Sequence, residues 1–538
     1  MPLIKIDDKE FEVPEGETVL RAALNHGIHI PYYCYHPSLS IAGQCRMCLV
    51  EVKGAPKLLT ACSTRIGTVP DERKIDGRWD MVVETANEKV RKAQKGVLEF
   101  LLLNHPLDCP ICDQAGECQL QEYAYSYGNA SSRFDFDKLE SPKRVDLGPN
   151  IVYDSERCIK CTRCIRFCRE ITGTQELTLV NRGAHARVGV FPGRVLDNPY
   201  AMNTVDICPV GALTSRSFRF KERVWFLSSA NSVCPECSRG CSIRFDTYKG
   251  EVLRLVPRDN PNVNGPWMCD HGRLLSDRLK QRSLLDRPAV REGETWRHYT
   301  HESFWDAFRN KTSPFAEAMA SDAAVILSGR MTCEELLASK ALTDGLFGGM
   351  PGTMVRVESG EDDALLKRRD RRPNIKGAEL LGFPIADSGT SAFDLLAGRK
   401  AALIVREDPL GDARENEKSK VKVALSGLDL LIVADEAFTE TAEQADIFIP
   451  LAAWHEMEGT TVNFQGVVQK TARALVPPAN RRTFWEIVPL WLESCGIEPP
   501  DVSYKYWFER FKDNVQALEG LQVRDLLPHG VRLEEVAS

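Results

Sequence analysis

Nowhere in its 538 residues does the chain contain a run of about 18 or more apolar residues, the least that crosses a bilayer as a helix. The nearest approach, VLEFLLLNHPL from Val97, ends at a histidine and a proline, so no membrane span is expected. The opening MPLIKIDDKEFEVPEGETVL alternates apolar and charged positions like a strand and lacks the unbroken apolar centre of a secretory signal. The chain therefore reads as intracellular. A basic face is also missing. Residues 1–280 carry 38 Lys and Arg against 35 Asp and Glu, and the remainder 31 against 41, a balance that excludes a surface built to track nucleic-acid phosphates. There is no G-x-G-x-x-G after a strand and no G-x4-G-K-S/T, hence no fingerprint for a nicotinamide, a flavin or a nucleoside triphosphate. Repeats and low-complexity tracts are absent too. With 43% hydrophobic and 27% charged residues, the composition is ordinary and globular, and the length allows three or four domains.

Cysteine is what the sequence has in excess. Of 18 cysteines, 16 precede residue 270, in short C-x2-C and C-x3-C runs that in an intracellular chain point to metal and not to disulfides. The first group is Cys34, Cys45, Cys48 and Cys62. Four thiolates on one loop suit a [2Fe-2S] cluster, in which each iron completes its tetrahedron with two protein sulfurs, although structural zinc accepts the same ligands. The second group, in HPLDCPICDQAGECQLQ, offers Cys109, Cys112 and Cys118, one ligand short of a [4Fe-4S] cube. His105 lies within one turn of Cys109, either as the fourth ligand or as a helix-end residue favoured by the dipole.

The third group is RCIKCTRCIRFCRE with Cys158, Cys161, Cys164 and Cys168, followed by Cys208 in DICPVGAL. Ferredoxin runs of this kind place a proline after the last cysteine. Here Cys168 precedes Arg169 whereas Cys208 precedes Pro209, so Cys208 is expected to complete a [4Fe-4S] site and Cys168 to be a small buried residue. Lys160, Arg163, Arg166 and Arg169 interleave these thiols, either favouring a reduced cluster's negative charge or simply solvated. The fourth group, CPECSRGCSIRF and WMCDHGR, supplies Cys234, Cys237, Cys241 and Cys269, a spacing that zinc can also use. Cys168, Cys333 and Cys495 remain unassigned.

Around these groups the front predicts strands LIKID and CLVEV and a helix TVLRAALNHG. A second helix is expected from Asp80 to Asn104, with Val90, Ala93, Val97, Leu98 and Leu101 on one face and Pro106 as its stop. Residues 131–144 read as a linker. Beyond about residue 280, strands AAVIL, AALIV, LDLLIVA and ADIFIPL alternate with helical segments CEELLASKALTDGLF and FTETAEQ, which predicts a parallel α/β sheet. GEDDALLKRRDRRPNIKG reads as a charged surface excursion and YKYWFERFKDNVQAL as an amphipathic helix in the final segment.

The segments IPYYCYHPSLSIAGQCRMCLVEV and TACST resemble the ferredoxin-like domain that opens the large iron-sulfur subunit of respiratory complex I and of some hydrogenases. HxxxCxxCxxxxxC resembles the histidine-ligated cluster motif of the same complex I subunit. The Cys234 group resembles the [4Fe-4S] domain of molybdopterin oxidoreductases such as formate dehydrogenases. RLKQRSLLDRPAVR, SGRMTCEELL and FTETAEQADIFIPLAAWHEMEGTTVNFQGVVQ resemble a degenerate form of their pterin-binding module. The chain departs from active relatives, which commonly read N-x-E-G-R where it has Asn463-Phe464-Gln465-Gly466-Val467. Only 269 residues follow Cys269, and Cys333 is an ill-placed molybdenum ligand. The paired cysteines of [FeFe]-hydrogenase active sites are missing as well.

Over roughly residues 1–490 the chain thus resembles the family of large iron-sulfur subunits (the G or 75-kDa type) of bacterial NADH:quinone oxidoreductase, respiratory complex I. The resemblance implies α+β ferredoxin-like iron-sulfur domains at the front and an α/β, Rossmann-like parallel-sheet domain behind. It implies one [2Fe-2S] cluster on Cys34, Cys45, Cys48 and Cys62, and [4Fe-4S] clusters on three further sets: His105, Cys109, Cys112 and Cys118; Cys158, Cys161, Cys164 and Cys208; Cys234, Cys237, Cys241 and Cys269. No catalytic residue, molybdopterin, FMN or NAD is expected on this chain. The expected division is 1–79, 80–130, 131–222 and 223–280 for the four cluster domains, 281–495 for the α/β domain and 496–538 for a tail. Expected partners are an NADH/FMN flavoprotein with its [2Fe-2S] companion, a two-cluster ferredoxin-like subunit and the quinone-site subunits. The setting would be the peripheral arm on the cytoplasmic face of the inner membrane, touching the bilayer only through the complex. Electrons would enter at the Cys34 group and pass the Cys158 group to the His105 group. The alternative is the matching subunit of a soluble NAD-linked hydrogenase or formate dehydrogenase.

Overall fold

In Leu3–Ile6 (β1) every second side chain, Ile4 and Ile6, is fully buried, the alternation of a strand with one covered face. The computed structural model describes residues 1–281, 285–386 and 390–536, without the side chains of 535 and 536. The chain divides into two units, Met1–Phe226 and Leu227–Ser538.

In the first unit, β1 joins Lys9–Glu12 (β2), Leu49–Val52 (β3), Leu59–Thr60 (β4) and Met81–Glu84 (β5) in a sheet of order β2-β1-β5-β3-β4. Helix Val19–Asn25 (α1) starts where the Thr18 hydroxyl accepts the Arg21 N–H, and it buries Val19, Leu20, Ala22 and Ala23 in the core that also holds Ile4 and Ile6. β5 corrects the expected helix from Asp80. Ile4 and Ile6 pair in parallel with Met81 and Val83, and the β-branched Val82 and Val83 favour that strand. The sheet therefore runs past residue 79. The helix proper, Glu88–Leu102 (α2), begins at Asn87, whose side chain accepts the Val90 N–H. It buries Val90, Gln94 and Leu98 at i, i+4 and i+8, with Ala93, Val97 and Leu101 only half-buried.

Helix Gln119–Tyr127 (α3) follows, and residues 131–144 carry neither helix nor strand. Val145–Asp146 (β6), Ile151–Tyr153 (β7) and, later, Leu213–Ser215 form a small sheet, and helix Arg163–Glu170 (α4) leaves the third cysteine run.

The second unit opens with the meander Ser228–Val233, Ser242–Tyr248 and Glu251–Pro257. Its main sheet has seven strands. Ala323–Leu327, Thr353–Met354, Ala401–Val405, Leu430–Asp435 and Ile447–Pro450 run parallel, and the antiparallel pair Ala289–Glu292 and Thr295–His298 forms one edge. Numbered along the chain, the parallel strands lie in the order 2-1-3-4-5. The strand order reverses between the first and third of them, which is where open α/β sheets present a ligand crevice. Both expected classes are present: sheets with packed helices in front, a parallel-strand sheet behind.

Three local expectations are corrected here. FTETAEQ yields only the turn Ala442–Gln444, because Asp408 takes both the N–H and the hydroxyl of Thr441 and the Thr439 hydroxyl takes the Ala442 N–H. The charged excursion turns inward at Arg372, which is 1% exposed and bound to Glu407 and Asp412. The final segment is no appendage, since Trp507, Phe508 and Phe511 of Tyr504–Asn514 are buried in one core with Trp491. Within RLKQRSLLDRPAVR, residues 282–284 lie outside the described residues. Among the described residues no helix is long and apolar enough to cross a membrane.

Removing the Arg372 guanidinium leaves Glu407 buried without its cation. Arg372→Ala should cost about 3–5 kcal/mol in equilibrium denaturation, and a loss under ~1 kcal/mol would show that Glu407 is not held by this pair.

Candidate metal centres

The segment between α1 and β3 contains no helix or strand, and Cys34, Cys45 and Cys48 sit on it. Left-handed backbone at Gly43 and Arg46 folds it back on itself. The thiols associate in pairs, Cys34 with Cys45 and Cys48 with Cys62, by sulfur-to-sulfur hydrogen bonds. The bond between them lowers the Cys34 thiol, against burial, and raises its partner Cys45; the N–H groups of Cys45 and Gln44 and the charge of Arg166 act on Cys34 in the same lowering sense. Two thiol pairs are the donor set of a two-iron cluster, one pair for each iron.

This loop is fastened to α4. Arg163 donates to Tyr35 O at 2.6 Å and to Ile207 O at 3.1 Å, the residues after Cys34 and before Cys208. Arg166 donates to the carbonyls of Cys34 and Ser40 and, at 3.4 Å, to Cys161 O. Gln44 donates to Lys160 O, and Glu170 accepts both the N–H and the hydroxyl of Ser40. Arg163 and Arg166 are therefore buried, at 5% and 4% exposure, whereas Arg169 is exposed on a Glu170 pair and Lys160 bonds Ala184 O. The solvated alternative fails for two of the four cations.

Cys158, Cys161, Cys164 and Cys208 line one cavity walled by Ile159, Val188, Val210, Ala212 and Leu213. Left-handed Lys160 and Thr162 turn the C-x2-C-x2-C run so that its thiols converge. Tyr153 is 1% exposed; its hydroxyl accepts the Val188 N–H at 3.1 Å, and this leaves its own hydrogen for the Cys158 sulfur. Burial and the adjacent thiol push the phenol far up, so it stays a donor. Cys168 is fully buried, is not among the residues that line this cavity, and bonds the Glu176 carboxylate.

His105, Cys109 and Cys118 line a second cavity, between α2 and α3. Burial, helped by the charges of Arg157 and Lys138, pulls His105 down to about 4, so the imidazole is neutral and able to bind metal. Cys112 stands beside Gly211, where an added Cβ would lie 2.3 Å from its sulfur. The segment Cys208-Pro209-Val210-Gly211 therefore touches both groups, since Pro209 O also accepts the Gln119 N–H at 3.1 Å. Sequence spacing gave no sign of this link.

In the second unit, Cys234, Cys237 and Cys241 fill the hairpin between Val233 and Ser242, and Cys269 heads a one-turn helix. All four are buried, and the Cys234 N–H bonds Cys241 O at 2.8 Å. Burial alone would raise Glu236, but the hydrogen bond from His271 and the charges of Arg278 and Arg330 hold it down to about 2. The degenerate signature packs on this hairpin. Asn463 donates to Arg239 O, the Phe464 N–H bonds Ser238 O, and the Phe464 ring lies between Arg239 and Arg368. Cys333 lies elsewhere, fully buried against Asn374, and Cys495 is exposed. Among the described residues no three His, Cys, Asp or Glu side chains are grouped so as to hold a single metal ion.

Charged side chains of the fold itself stand at the carboxyl ends of the parallel strands, where Glu407, Asp412 and Arg414 line a cavity of about 220 Å³. Past Leu327 the helix Cys333–Leu346 begins with a capping box, Thr332 with Glu335, and Glu335 also pairs with Arg406. Glu334 is fully buried, and burial raises it to about 7. A helix start that would otherwise favour a phosphate faces two carboxyl groups of its own.

If Cys208 is the fourth ligand of its group, Cys208→Ser should remove or alter that centre's EPR signal while Cys168→Ser keeps it. The opposite pattern would move the ligand to Cys168.

Five sequence families match successive parts of the chain. They are a 2Fe-2S iron-sulfur cluster binding domain over residues 3–68, an NADH-ubiquinone oxidoreductase-G iron-sulfur binding region over 94–133 and the ferredoxin-like domain of NADH-quinone oxidoreductase subunit 3 over 148–214. A molybdopterin oxidoreductase Fe4S4 domain matches 227–281, and a molybdopterin oxidoreductase family 377–489. Each of the four cysteine groups falls inside one of the first four. The chain is similar to the NADH-quinone oxidoreductase G subunit of Rickettsia conorii, at 43% identity over 289 residues, 54% of this chain and 41% of the relative. It is 40% identical to the corresponding protein of Streptomyces coelicolor over 394 residues, 72% of this chain and 44% of the relative. The chain thus spans less than half the length of these curated relatives. A solved NAD+-reducing [NiFe]-hydrogenase in its H2-reduced state overlaps 41% of this chain and 91% of its own, at 29% identity and a TM-score of 0.36.

Proposed function

We propose that this chain is the electron-transferring iron-sulfur subunit of an NADH:quinone oxidoreductase. The observation that carries the reading is the linkage of the three cysteine groups of the first unit. α4 ties the Cys34 loop to the Cys158 run, and Cys208–Gly211 ties that run to Cys112, in the order in which electrons would have to travel. A [2Fe-2S] cluster on Cys34, Cys45, Cys48 and Cys62 and three [4Fe-4S] clusters on the other sets would supply one-electron carriage. The chain's own residues do the rest: Tyr153, Arg163 and Arg166 donate toward the sites, and apolar side chains wall the Cys158 group. The first cluster segment extends through β5, and the last two segments form one α/β body. That body takes no pterin in this reading, since its helix start carries Glu334 and Glu335 and its late signature holds the Cys234 hairpin. The inferred partners are an NADH/FMN flavoprotein with its [2Fe-2S] companion, a two-cluster ferredoxin-like subunit and the quinone-site subunits, on the cytoplasmic face of the inner membrane.

Metal analysis of the purified chain should approach ~14 irons with matching acid-labile sulfide, the sum for one two-iron and three four-iron clusters. Near-equimolar zinc with little sulfide would overturn the reading. Co-purifying subunits separate complex I from its rival: antiporter-like membrane proteins support it, and a [NiFe] or molybdenum subunit would replace it.

His105→Cys should keep its cluster and lower the potential, because a thiolate adds negative charge, whereas His105→Ala should leave a cube that loses iron. An unchanged spectrum and potential in His105→Ala would make the histidine a bystander.

A further inference from the structure

Arg163 and Arg166 raise a problem of charge. Both guanidiniums are more than nine-tenths buried, yet among the described residues neither forms an ion pair with a carboxylate. Every hydrogen bond they make goes to a backbone carbonyl: Tyr35, Ile207, Cys34, Ser40 and Cys161. Their Nε donors are buried without a partner. A cation in that position is strongly destabilising unless negative charge lies close to it. The acceptors show where that charge belongs, since two of the five carbonyls are those of Cys34 and Cys161 and two more adjoin Cys34 and Cys208. The other two cations of the run lie elsewhere, half-buried Lys160 on Ala184 O and exposed Arg169 on Glu170. Of its own three cations the helix therefore turns two inward and one outward.

We propose that Arg163 and Arg166 are the shared buried counter-charge of the Cys34 and Cys158 sites and together set the reduction potentials of both. The proposal rests on iron-sulfur clusters occupying those sites. A cluster on four thiolates is anionic and gains one more negative charge on reduction, so a fixed neighbouring cation favours the reduced form. Because Arg163 bridges from Tyr35 to Ile207, one substitution acts on both centres. A residue that merely fastened a loop would matter through its hydrogen bonds and not its charge.

The test compares Arg163→Gln with Arg163→Lys, and Arg166→Gln with Arg166→Lys, in the cluster-loaded chain, by EPR-monitored redox titration of both centres. Lysine keeps the charge and loses the forked geometry; glutamine keeps donors and loses the charge. The expected result is a shift of both midpoint potentials to lower values in the glutamine variants, with the lysine variants near the parent. Loss of the clusters in the glutamine variants alone would equally support a requirement for charge. Unchanged potentials in Arg163→Gln and Arg166→Gln, or equal damage by lysine and glutamine, would overturn the proposal and leave a structural fastening. Parent protein that holds zinc without sulfide would instead defeat the cluster reading itself, and is recognised before any variant is made.

Discussion

A loop without helix or strand cannot hold four thiols in register by its own packing, and the first unit depends on how that problem is solved. Between α1 and β3 the chain satisfies few of its carbonyls internally, so α4 supplies the donors from outside. Buried carbonyls need partners. The planar guanidinium, with its five N–H groups in a fixed fork, serves two separate segments at once in a geometry more rigid than a lysine's. Arg163 does this between Tyr35 and Ile207, and Arg166 between Cys34 and Ser40. The positions of both cysteine groups then follow from the placement of one two-turn helix.

The second unit meets a different demand. Its parallel strands have the order that opens a crevice between the first and third strands. Paired side chains stand at that end of the sheet: Arg372 with Glu407 and Asp412, and Arg406 with Glu335. Carboxylates at a helix start satisfy the free N–H groups that a phosphate would otherwise take. Asn463, Phe464 and Gln469 meanwhile pack on the hairpin that bears Cys234.

What the sequence revealed and what it concealed divide along a physical line. Thiol spacing is local chemistry, so the four groups were legible from C-x2-C runs, and the proline after Cys208 singled out that residue over Cys168. The four apolar runs of the parallel sheet were legible because strands buried on both faces need continuous hydrophobicity. Long-range relations were not legible. Met81–Glu84 reads as the start of a helix until its pairing with β1 is known, and the charged run around Arg372 looks solvated until Glu407 and Asp412 arrive from elsewhere. Arg163 and Arg166 stand three apart, hence on one face of a helix, but nothing local says that this face is turned inward. The contact between Gly211 and Cys112 joins segments about a hundred residues apart, and no local pattern pointed to it.

The fastening by α4 also imposes a schedule on biogenesis. Arg166 lies 126 residues after Ser40 and 132 after Cys34, the carbonyls it binds. At a translation rate of roughly 5–20 residues per second, the first cysteine loop waits on the order of 6–25 s for the side chain that shapes it. During that interval its thiols are exposed to oxidation and to stray metal, on a nascent chain whose front sheet is also still missing β5 at first. Shaping of the first cysteine loop is therefore tied to synthesis of the third cysteine run.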